Sequence, residues 1–372
     1  MKRNCWYCKV PRIRQHRLCA PAVNSLTAVM VCITVCCVSV YAYRYKGQEM
    51  KHKVILDCDN TMGMPGRDID DGLLIMYLLG REDIDLLGIT LTFGNAGLKD
   101  VSLHTRNLLA MLKREDIPVC EGEIYQEELN PGVAKTALGH NRCSDEMEPL
   151  GHPTPAASFL AETVARYPQE VTILAAGPVG NLYDASKVYP EFYQEAKQFV
   201  CMGGYTEDLY IDGRKCRELN FSCNPEAAYQ LLHGPGNIVI MNGHVCLQAP
   251  FFRRDLEKVS FWPQEIIDYI HAWFARGVSL NSIERFFLWD LLPGVYISYP
   301  ELFADTRVCI NPTRESLLEG MLMPCGHEGK EVCMPEHILD RDAFMGILVS
   351  AWETHAKQWR KANPELSWEQ QQ

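Results

Sequence analysis

The chain has 372 residues, of which 47% are hydrophobic and 22% charged, a composition typical of a globular protein with a large core. Its net charge of −11 argues against a nucleic acid partner, because such partners are bound through an excess of lysine and arginine. The sixteen cysteines are scattered and do not resemble a disulfide framework, so we expect reduced thiols.

The first 49 residues differ from the rest of the chain. They carry eight basic residues and one acidic residue, and residues 18–43 contain no charge. About 20 apolar residues suffice to cross a bilayer, so residues 22–43 are a candidate transmembrane segment behind a basic tail, with the N-terminus in the cytoplasm. Alternatively, Met50 is the natural start and residues 1–49 are a misassigned upstream stretch. The first alternative gives a membrane-anchored protein and the second a cytoplasmic one, which the free cysteines favour.

An aspartate-rich turn follows directly. The apolar run 54–56 predicts the end of a buried strand, and residues 72–79 predict a buried helix. Like charges in one turn repel each other unless a cation lies among them, and oxygen ligands suit Ca²⁺ or Mg²⁺. Helix capping accounts for one or two of these acids but not for all. Between the strand and the helix the turn places five aspartates, Asp57, Asp59, Asp68, Asp70 and Asp71.

Strand-like runs then alternate with helical patterns. This alternation predicts an α/β fold, a mainly parallel open sheet with helices on both faces, similar to a Rossmann fold. Polar or glycine-bearing turns follow the strands, so we expect the site at the carboxyl edge of the sheet. Residues 121–155 predict a long surface loop suited to act as a lid. The predicted strands are 54–56, 86–92, 171–176, 198–202 and 238–241, and the predicted helices are 72–79, 101–112, 156–167, 190–196, 226–232 and 264–276.

Five turns, in this order, resemble the inosine–uridine-preferring nucleoside hydrolase family. The resemblance runs from about residue 51 to about 350 and implies a nucleoside hydrolase domain over residues 50–372. The family opens with DxDxGxDD, which this chain matches with an insertion, NTMGMPGRDI. The matching residues are Asp57, Asp59, Asp70 and Asp71, LTFGN ending at Asn95, AAGPVGNL at 175–182, MGG at 202–204 with ELNFSCNPEAA from Glu218, and WD at 289–290.

The resemblance implies hydrolysis of the N-glycosidic bond of ribonucleosides by a protein that is usually a homo-oligomer. It implies a Ca²⁺ ion held by Asp59, Asp71, Asp290 and the backbone carbonyl of Ala176. Asp59 is then the general base for the attacking water, whose pKa the metal lowers. The residues implied to hold the ribose are Asp70, Asn95, Glu218 and Asn220, with Met202 packed nearby.

Two positions depart from the family pattern. Ala176 replaces the usual threonine, which leaves a backbone carbonyl ligand in place. Trp289 replaces the histidine that protonates the leaving base, and this is similar to purine-specific members, which stack the base on an aromatic ring. Trp289 therefore predicts a preference for purine nucleosides, with a pyrimidine-specific or broad enzyme as the alternative. His140, in the predicted lid, is an alternative acid.

Other functions compete with this interpretation. VILDCDNT also matches the nucleophile strand of haloacid dehalogenase-type phosphatases, in which Asp57 forms an aspartyl-phosphate and Asp59 serves as the acid–base group. A nucleoside-binding protein with the same fold and no catalysis is a further alternative. Two cysteine-containing groups are weak candidates for a zinc site, because a full ligand set is missing from each: Cys5 with Cys8, and Cys325 with His327 and Cys333.

Overall fold

The fold is built around one large sheet in the computed structural model, which describes residues 51–122, 153–281 and 285–362. Eight strands form this sheet, and two small hairpins supply the others. In chain order the strands are β1 His52–Cys58, β2 Ile84–Leu91, β3 Val119–Glu121, β4 Val171–Ala175, β5 Gln198–Met202, β6 Tyr210–Ile211, β7 Arg214–Lys215, β8 Ile238–Met241, β9 Pro250–Phe252, β10 Arg285–Phe287, β11 Arg307–Ile310 and β12 Lys330–Cys333.

Helices connect most of these strands. Several begin at a capping side chain: Thr154 accepts from the Ala157 amide and Asn224 from the Ala227 amide, and a proline follows each cap. The helices are α1 Asp70–Leu79, α2 Leu98–Met111, α3 Pro155–Arg166, α4 Gly180–Val188, α5 Phe192–Glu195, α6 Pro225–His233, α7 Gly243–Cys246, α8 Gln264–Asn281, α9 Leu291–Ser298, α10 Arg314–Leu317 and α11 Arg341–Ala362, with 3₁₀ turns at Arg253–Val259 and Pro300–Leu302.

The sheet order is β11-β12-β8-β5-β4-β1-β2-β3, and every pairing is parallel except that of β11 with β12. From β1 the chain moves outward through β2 to β3, then returns to the other side of β1 at β4. The direction of winding therefore changes between β1 and β4. In open α/β sheets, ligands bind outside the carboxyl ends of the strands at such a switch point.

Two apolar clusters cover the two faces of the sheet, and β1 contributes alternately to both. Val54 and Leu56 pack into one cluster with residues of α1, α2, α8, α9 and α11, whereas Ile55 packs into the other with residues of α3, α4, α5 and α6. Burial on both faces explains why the central strands are almost continuously apolar. Helix α1 is buried along its whole length, including Asp70 and Asp71.

The predicted α/β fold with a mainly parallel sheet is confirmed. All five predicted strands are present, and the predicted helix 190–196 shortens to the four residues of α5. The sequence patterns missed three strands of the large sheet, β3, β11 and β12, and the helices α4, α7, α9, α10 and α11. The candidate span at 22–43 and most of the predicted lid lie outside the described residues. Within the described ranges, none of the helices combines the length and the apolar character that a membrane crossing requires.

A buried histidine in α11 should make stability depend on pH. Burial, together with the charge of Arg114, lowers the pKa of His355 to about 4, and its Nε2 has no hydrogen-bond partner. Between pH 6.5 and 4 the unfolded chain therefore binds a proton that the folded chain does not, so stability falls as the pH falls. In His355→Leu, the free energy of unfolding should fall less steeply with acidification, by at most about 1.4 kcal/mol per pH unit.

Denaturant unfolding with chelator present, at several pH values from 7 to 4.5, measures this difference between the two proteins. His327 is exposed, so His327→Leu is the matched control. Parallel pH profiles for the wild type and His355→Leu would contradict the prediction.

Candidate functional site

The aspartate-rich turn lies at the switch point of the sheet. Asp57 is the penultimate residue of β1, and Asp59 immediately follows the strand. The Ala176 amide, just beyond β4, donates to the Asp57 carbonyl at 2.8 Å, and the Thr92 amide, just beyond β2, donates to the Cys58 carbonyl at 3.0 Å. These bonds hold the ends of three neighbouring strands together, so the turns that follow them converge on one place.

Three buried carboxylates gather at this edge. Asp70 and Asp71 open helix α1, and Asp290 precedes helix α9. One ligand atom from each of these aspartates lies within 4.8 Å of the others, and the three side chains are at most 4% exposed. The Asp290 amide donates to Asp70 Oδ2 at 3.2 Å, which joins segments 220 residues apart in the chain.

Asn95 connects this group to Asp59. Its backbone amide donates to Asp59 Oδ2 at 2.5 Å, and its side-chain Nδ2 lies 3.3 Å from Asp59 Oδ1 and 3.4 Å from Asp71 Oδ2. Asp71 Oδ1 is buried and has no hydrogen-bond partner. Of the expected metal ligands, Asp71 and Asp290 thus lie together with Asp70, whereas Asp59 lies outside this group of three and is joined to it through Asn95.

Burial raises the pKa of every carboxyl group in the cluster. The pKa of Asp59 rises to about 7 and that of Asp70 to about 6. Burial, and then the neighbouring aspartates, hold the pKa of Asp71 and Asp290 well above the usual range. A buried group of acids with an unpartnered oxygen fits a hard divalent cation, which takes oxygen ligands and offsets the repulsion.

Two glycines make room for the Asp59 carboxylate. A Cβ atom at Gly94 would lie 1.8 Å from Asp59 Oδ2, and one at Gly177 would lie 3.3 Å from Asp59 Oδ1 and 2.8 Å from the Thr92 side chain. Glycine at these positions therefore lets the backbone of two turns approach the carboxylate directly. This explains why LTFGN and AAGPVGN carry glycine beside the site.

Asn220 links the expected carbonyl ligand to the cavity wall. Its Nδ2 donates to the Ala176 carbonyl at 3.1 Å and to the Met202 carbonyl at 3.0 Å, and it lies 3.3 Å from Met202 Sδ. Asn220 is 5% exposed, so these bonds fix its orientation. The structure therefore places Ala176, Met202 and Asn220 together.

Glu218 is held by backbone amides. Its carboxylate accepts from Gly204 at 3.1 Å, from Phe221 at 3.0 and 3.1 Å and from Ser222 at 2.7 Å. Burial raises its pKa although these bonds oppose the shift. The carboxylate also lies against Gly320, where a Cβ would approach Glu218 Cγ to 2.4 Å. Glu218 therefore organises the loop around the cavity, in addition to lining it.

A cavity of about 240 Å³ opens beside the carboxylates. Trp289 lines it and also contacts Phe287, with ring centroids 5.4 Å apart. Asp59 and Asp71 do not line the cavity, whereas the other eight predicted site residues do: Asp70, Asn95, Ala176, Met202, Glu218, Asn220, Trp289 and Asp290. Four lining residues were not predicted from the sequence: Tyr205, Cys216, Arg217 and Leu219. Leu219 lies within the ELN motif, and the other three lie within two residues of MGG or ELN. A fifth lining residue, Asp68, had no predicted role.

The candidate zinc ligands do not assemble. Cys325 Sγ lies 2.8 Å from Cys309 Sγ, whereas Cys333 Sγ lies 3.5 Å from the Tyr296 hydroxyl. In the described ranges, the one group of three or more candidate metal-ligating side chains is the aspartate group. His140, Cys5 and Cys8 lie outside the described residues.

Comparison with known proteins identifies the family. The family model described as inosine–uridine preferring nucleoside hydrolase matches residues 54–361. The chain belongs to this family. The resemblance predicted from the five motifs is therefore confirmed, and the matched residues include every predicted site residue.

Curated relatives of this nucleoside hydrolase are similar over most of their length. Uridine nucleosidase 1 of Arabidopsis thaliana is 29% identical over 289 residues, which cover 73% of this chain and 81% of the relative. The pyrimidine-specific ribonucleoside hydrolase RihA of Citrobacter koseri is 28% identical over 319 residues, covering 79% of this chain and 96% of the relative.

Solved structures share the fold. A plant nucleoside hydrolase superposes with a TM-score of 0.65 at 22% identity, covering 81% of this chain and 98% of the plant protein. A purine-preferring ribonucleoside hydrolase from Gardnerella vaginalis also has a TM-score of 0.65, at 19% identity, covering 82% and 99%.

Proposed function

We propose that this nucleoside hydrolase cleaves the N-glycosidic bond of ribonucleosides with a calcium ion bound by Asp59, Asp71, Asp290 and the Ala176 carbonyl. The observation that carries the proposal is the buried aspartate group, with the unpartnered Asp71 Oδ1, beside a cavity at the switch point. Held by these residues, calcium would orient the ribose hydroxyls and lower the pKa of the attacking water. We further propose that the enzyme acts as a homo-oligomer.

Each side chain then has its own role in the reaction. Asp59 accepts the proton of the attacking water, and the Asn95 bonds hold its carboxylate in place. Asp70, Asn95, Glu218 and Asn220 surround the ribose, and Met202 packs against Asn220. Negative charge around the sugar stabilises the positive character that the ring acquires as the glycosidic bond breaks.

Two classes of base are candidates for the leaving group. Trp289 lines the cavity with an aromatic ring, which supports stacking and the predicted purine preference. The names of the curated relatives support uridine and other pyrimidine nucleosides. Those relatives match most of the chain, whereas the purine argument depends on one residue whose ring also packs against Phe287. We therefore favour uridine as the substrate, with purine nucleosides as the second candidate.

The phosphatase alternative fits the site poorly. Its nucleophile would be Asp57, which is completely buried. Asp57 Oδ1 accepts from Thr90 Oγ1 at 2.6 Å and from Asn181 Nδ2 at 2.7 Å, which ties the strand ends together. Burial and these two bonds disfavour Asp57 as a nucleophile for a phosphoester in the cavity.

The test is ribose release from uridine, cytidine, inosine and adenosine by the purified full chain. We expect release in calcium, with a loss of about 10³-fold or more on chelation and recovery on adding calcium back, because the metal supplies several kcal/mol of transition-state stabilisation. Activity that survives chelation would overturn the calcium requirement. Nucleoside binding without turnover would favour the non-catalytic alternative, and a faster rate with inosine or adenosine than with uridine would restore the purine preference.

A further inference from the structure

The charges that line the cavity are unevenly distributed. Asp68, Asp70, Glu218 and Asp290 supply carboxylates, while Arg217 is the single cation among the lining residues of the described chain. We propose that Arg217 contacts the base and stabilises the negative charge that develops on it as it leaves. This proposal deepens the proposed function and depends on it, since it concerns the leaving group of the same reaction.

The backbone on both sides of Arg217 is anchored, although its side chain is exposed. The Cys216 amide donates to the Leu209 carbonyl at 2.8 Å. On the other side, the buried Glu218 carboxylate accepts from the amides of Gly204, Phe221 and Ser222. Arg217 is thus a long, charged side chain on an anchored backbone position in the cavity lining, so it can contact a bound base without movement of the loop.

The chemistry of the bond requires charge compensation on the base. When the C1′–N bond breaks, both bonding electrons move onto the base, and the water oxygen forms the new bond to C1′. The water proton passes to the general base, Asp59, and the base anion finally takes a proton from solvent. The four carboxylates favour the positively charged sugar but oppose the anion. A guanidinium keeps its positive charge at working pH, so it stabilises the anion electrostatically without donating a proton.

The same interaction selects the class of base. A guanidinium offers donors and no acceptor, so it pairs with carbonyl oxygens and not with amino groups. In uracil and hypoxanthine the electrons of the broken bond spread onto ring carbonyl oxygens. Adenine has an exocyclic amino group and no carbonyl oxygen, and cytosine has an amino group in place of one carbonyl. We therefore expect Arg217 to favour uridine and inosine over cytidine and adenosine.

The test compares two leaving groups in the wild type, Arg217→Met and Arg217→Lys. Uracil is a poor leaving group, whereas p-nitrophenyl β-D-ribofuranoside releases a phenolate that is stable without help. Arg217→Met should lower kcat for uridine by about 10²-fold, as removal of one charge-stabilising donor does elsewhere, and should leave kcat for the nitrophenyl riboside nearly unchanged. Arg217→Lys keeps the charge and should lose less of the uridine activity.

Arg214→Met is the matched control, because Arg214 is an exposed arginine of β7 that does not line the cavity. It should leave both rates unchanged. An equal loss on both substrates in Arg217→Met, or no loss on uridine, would overturn the role of Arg217. If the wild type released ribose from neither substrate, the proposed function itself would fail, a result that the variants cannot produce.

Discussion

Asp71→Asn is expected to abolish calcium-dependent ribose release and to raise the melting temperature of the metal-free protein. Asp71 is fully buried beside Asp59 and Asp70, and one of its oxygens has no partner. Without a cation, the substitution removes a repelling charge, so the folded state gains stability. With calcium present, the substitution removes a proposed ligand, and activity should fall by about 10³-fold or more.

Two measurements on each protein test this prediction. The first is thermal unfolding in chelator and in calcium, and the second is the rate of ribose release in calcium. Calcium should raise the melting temperature of the wild type, because a ligand that binds the folded state alone stabilises it, and it should have much less effect on Asp71→Asn. Asp85→Asn neutralises an exposed aspartate of β2 and is the matched control.

The result separates a metal site from a merely acidic pocket. If Asp71→Asn stabilised the chelated protein and kept the calcium response, Asp71 would not be a ligand. If it destabilised the chelated protein, the repulsion argument would be wrong. Both outcomes are measured by thermal unfolding alone, so they do not depend on which nucleoside is the substrate.

The central strands were predictable because parallel strands that are buried on both faces leave an apolar signature. Residues 198–202 and 238–241 were predicted with the bounds that the structure shows for β5 and β8. Strands β11 and β12 escaped prediction because they mix charged and apolar residues, RVCI and KEVC. Helix α4 was missed because its first residues, Gly180 and Asn181, belong to a motif interpreted as a turn.

The site was predictable in its parts but not in its assembly. The position of Asp59 and Asp71 after a strand indicated a metal, yet only the family resemblance pointed to Asp290. The structure shows the physical reason: the Asp290 amide donates to Asp70, a contact across 220 residues that no local pattern records. The same contact brings Asp70, which was predicted to bind only ribose, into the carboxylate group.

Arg217 illustrates a second limit of predicting the site from sequence. An exposed arginine beside a hairpin has the local pattern of a solvated charge. Its relevance becomes visible only when the loop closes on the Glu218 carboxylate and brings the guanidinium-bearing residue to the cavity wall. Glu218, which was predicted to bind ribose, also holds this loop in place by accepting hydrogen bonds from backbone amides. The sequence motif does not reveal this second role.

Gly94→Ala is expected to remove most activity while leaving the fold intact. The added Cβ would lie 1.8 Å from Asp59 Oδ2, so the carboxylate must move away from the Asn95 amide that now donates to it at 2.5 Å. Gly94 does not have a positive φ, so the backbone itself tolerates alanine. If Asp59 is the general base, as proposed, its displacement by about 1 Å is expected to cost about 10²-fold in kcat.

Steady-state kinetics on the best nucleoside, together with thermal unfolding, measures the effect. Gly346→Ala is the matched control, because a Cβ at this position in α11 meets no atom within 4 Å. Alanine is favoured over glycine within a helix, so this control should keep full activity and gain up to about 1 kcal/mol of stability. If the activity were lost through general unfolding instead, the melting temperature of Gly94→Ala would fall as well. Full activity in Gly94→Ala would show that the position of the Asp59 carboxylate does not limit the reaction, and it would remove Asp59 as the general base.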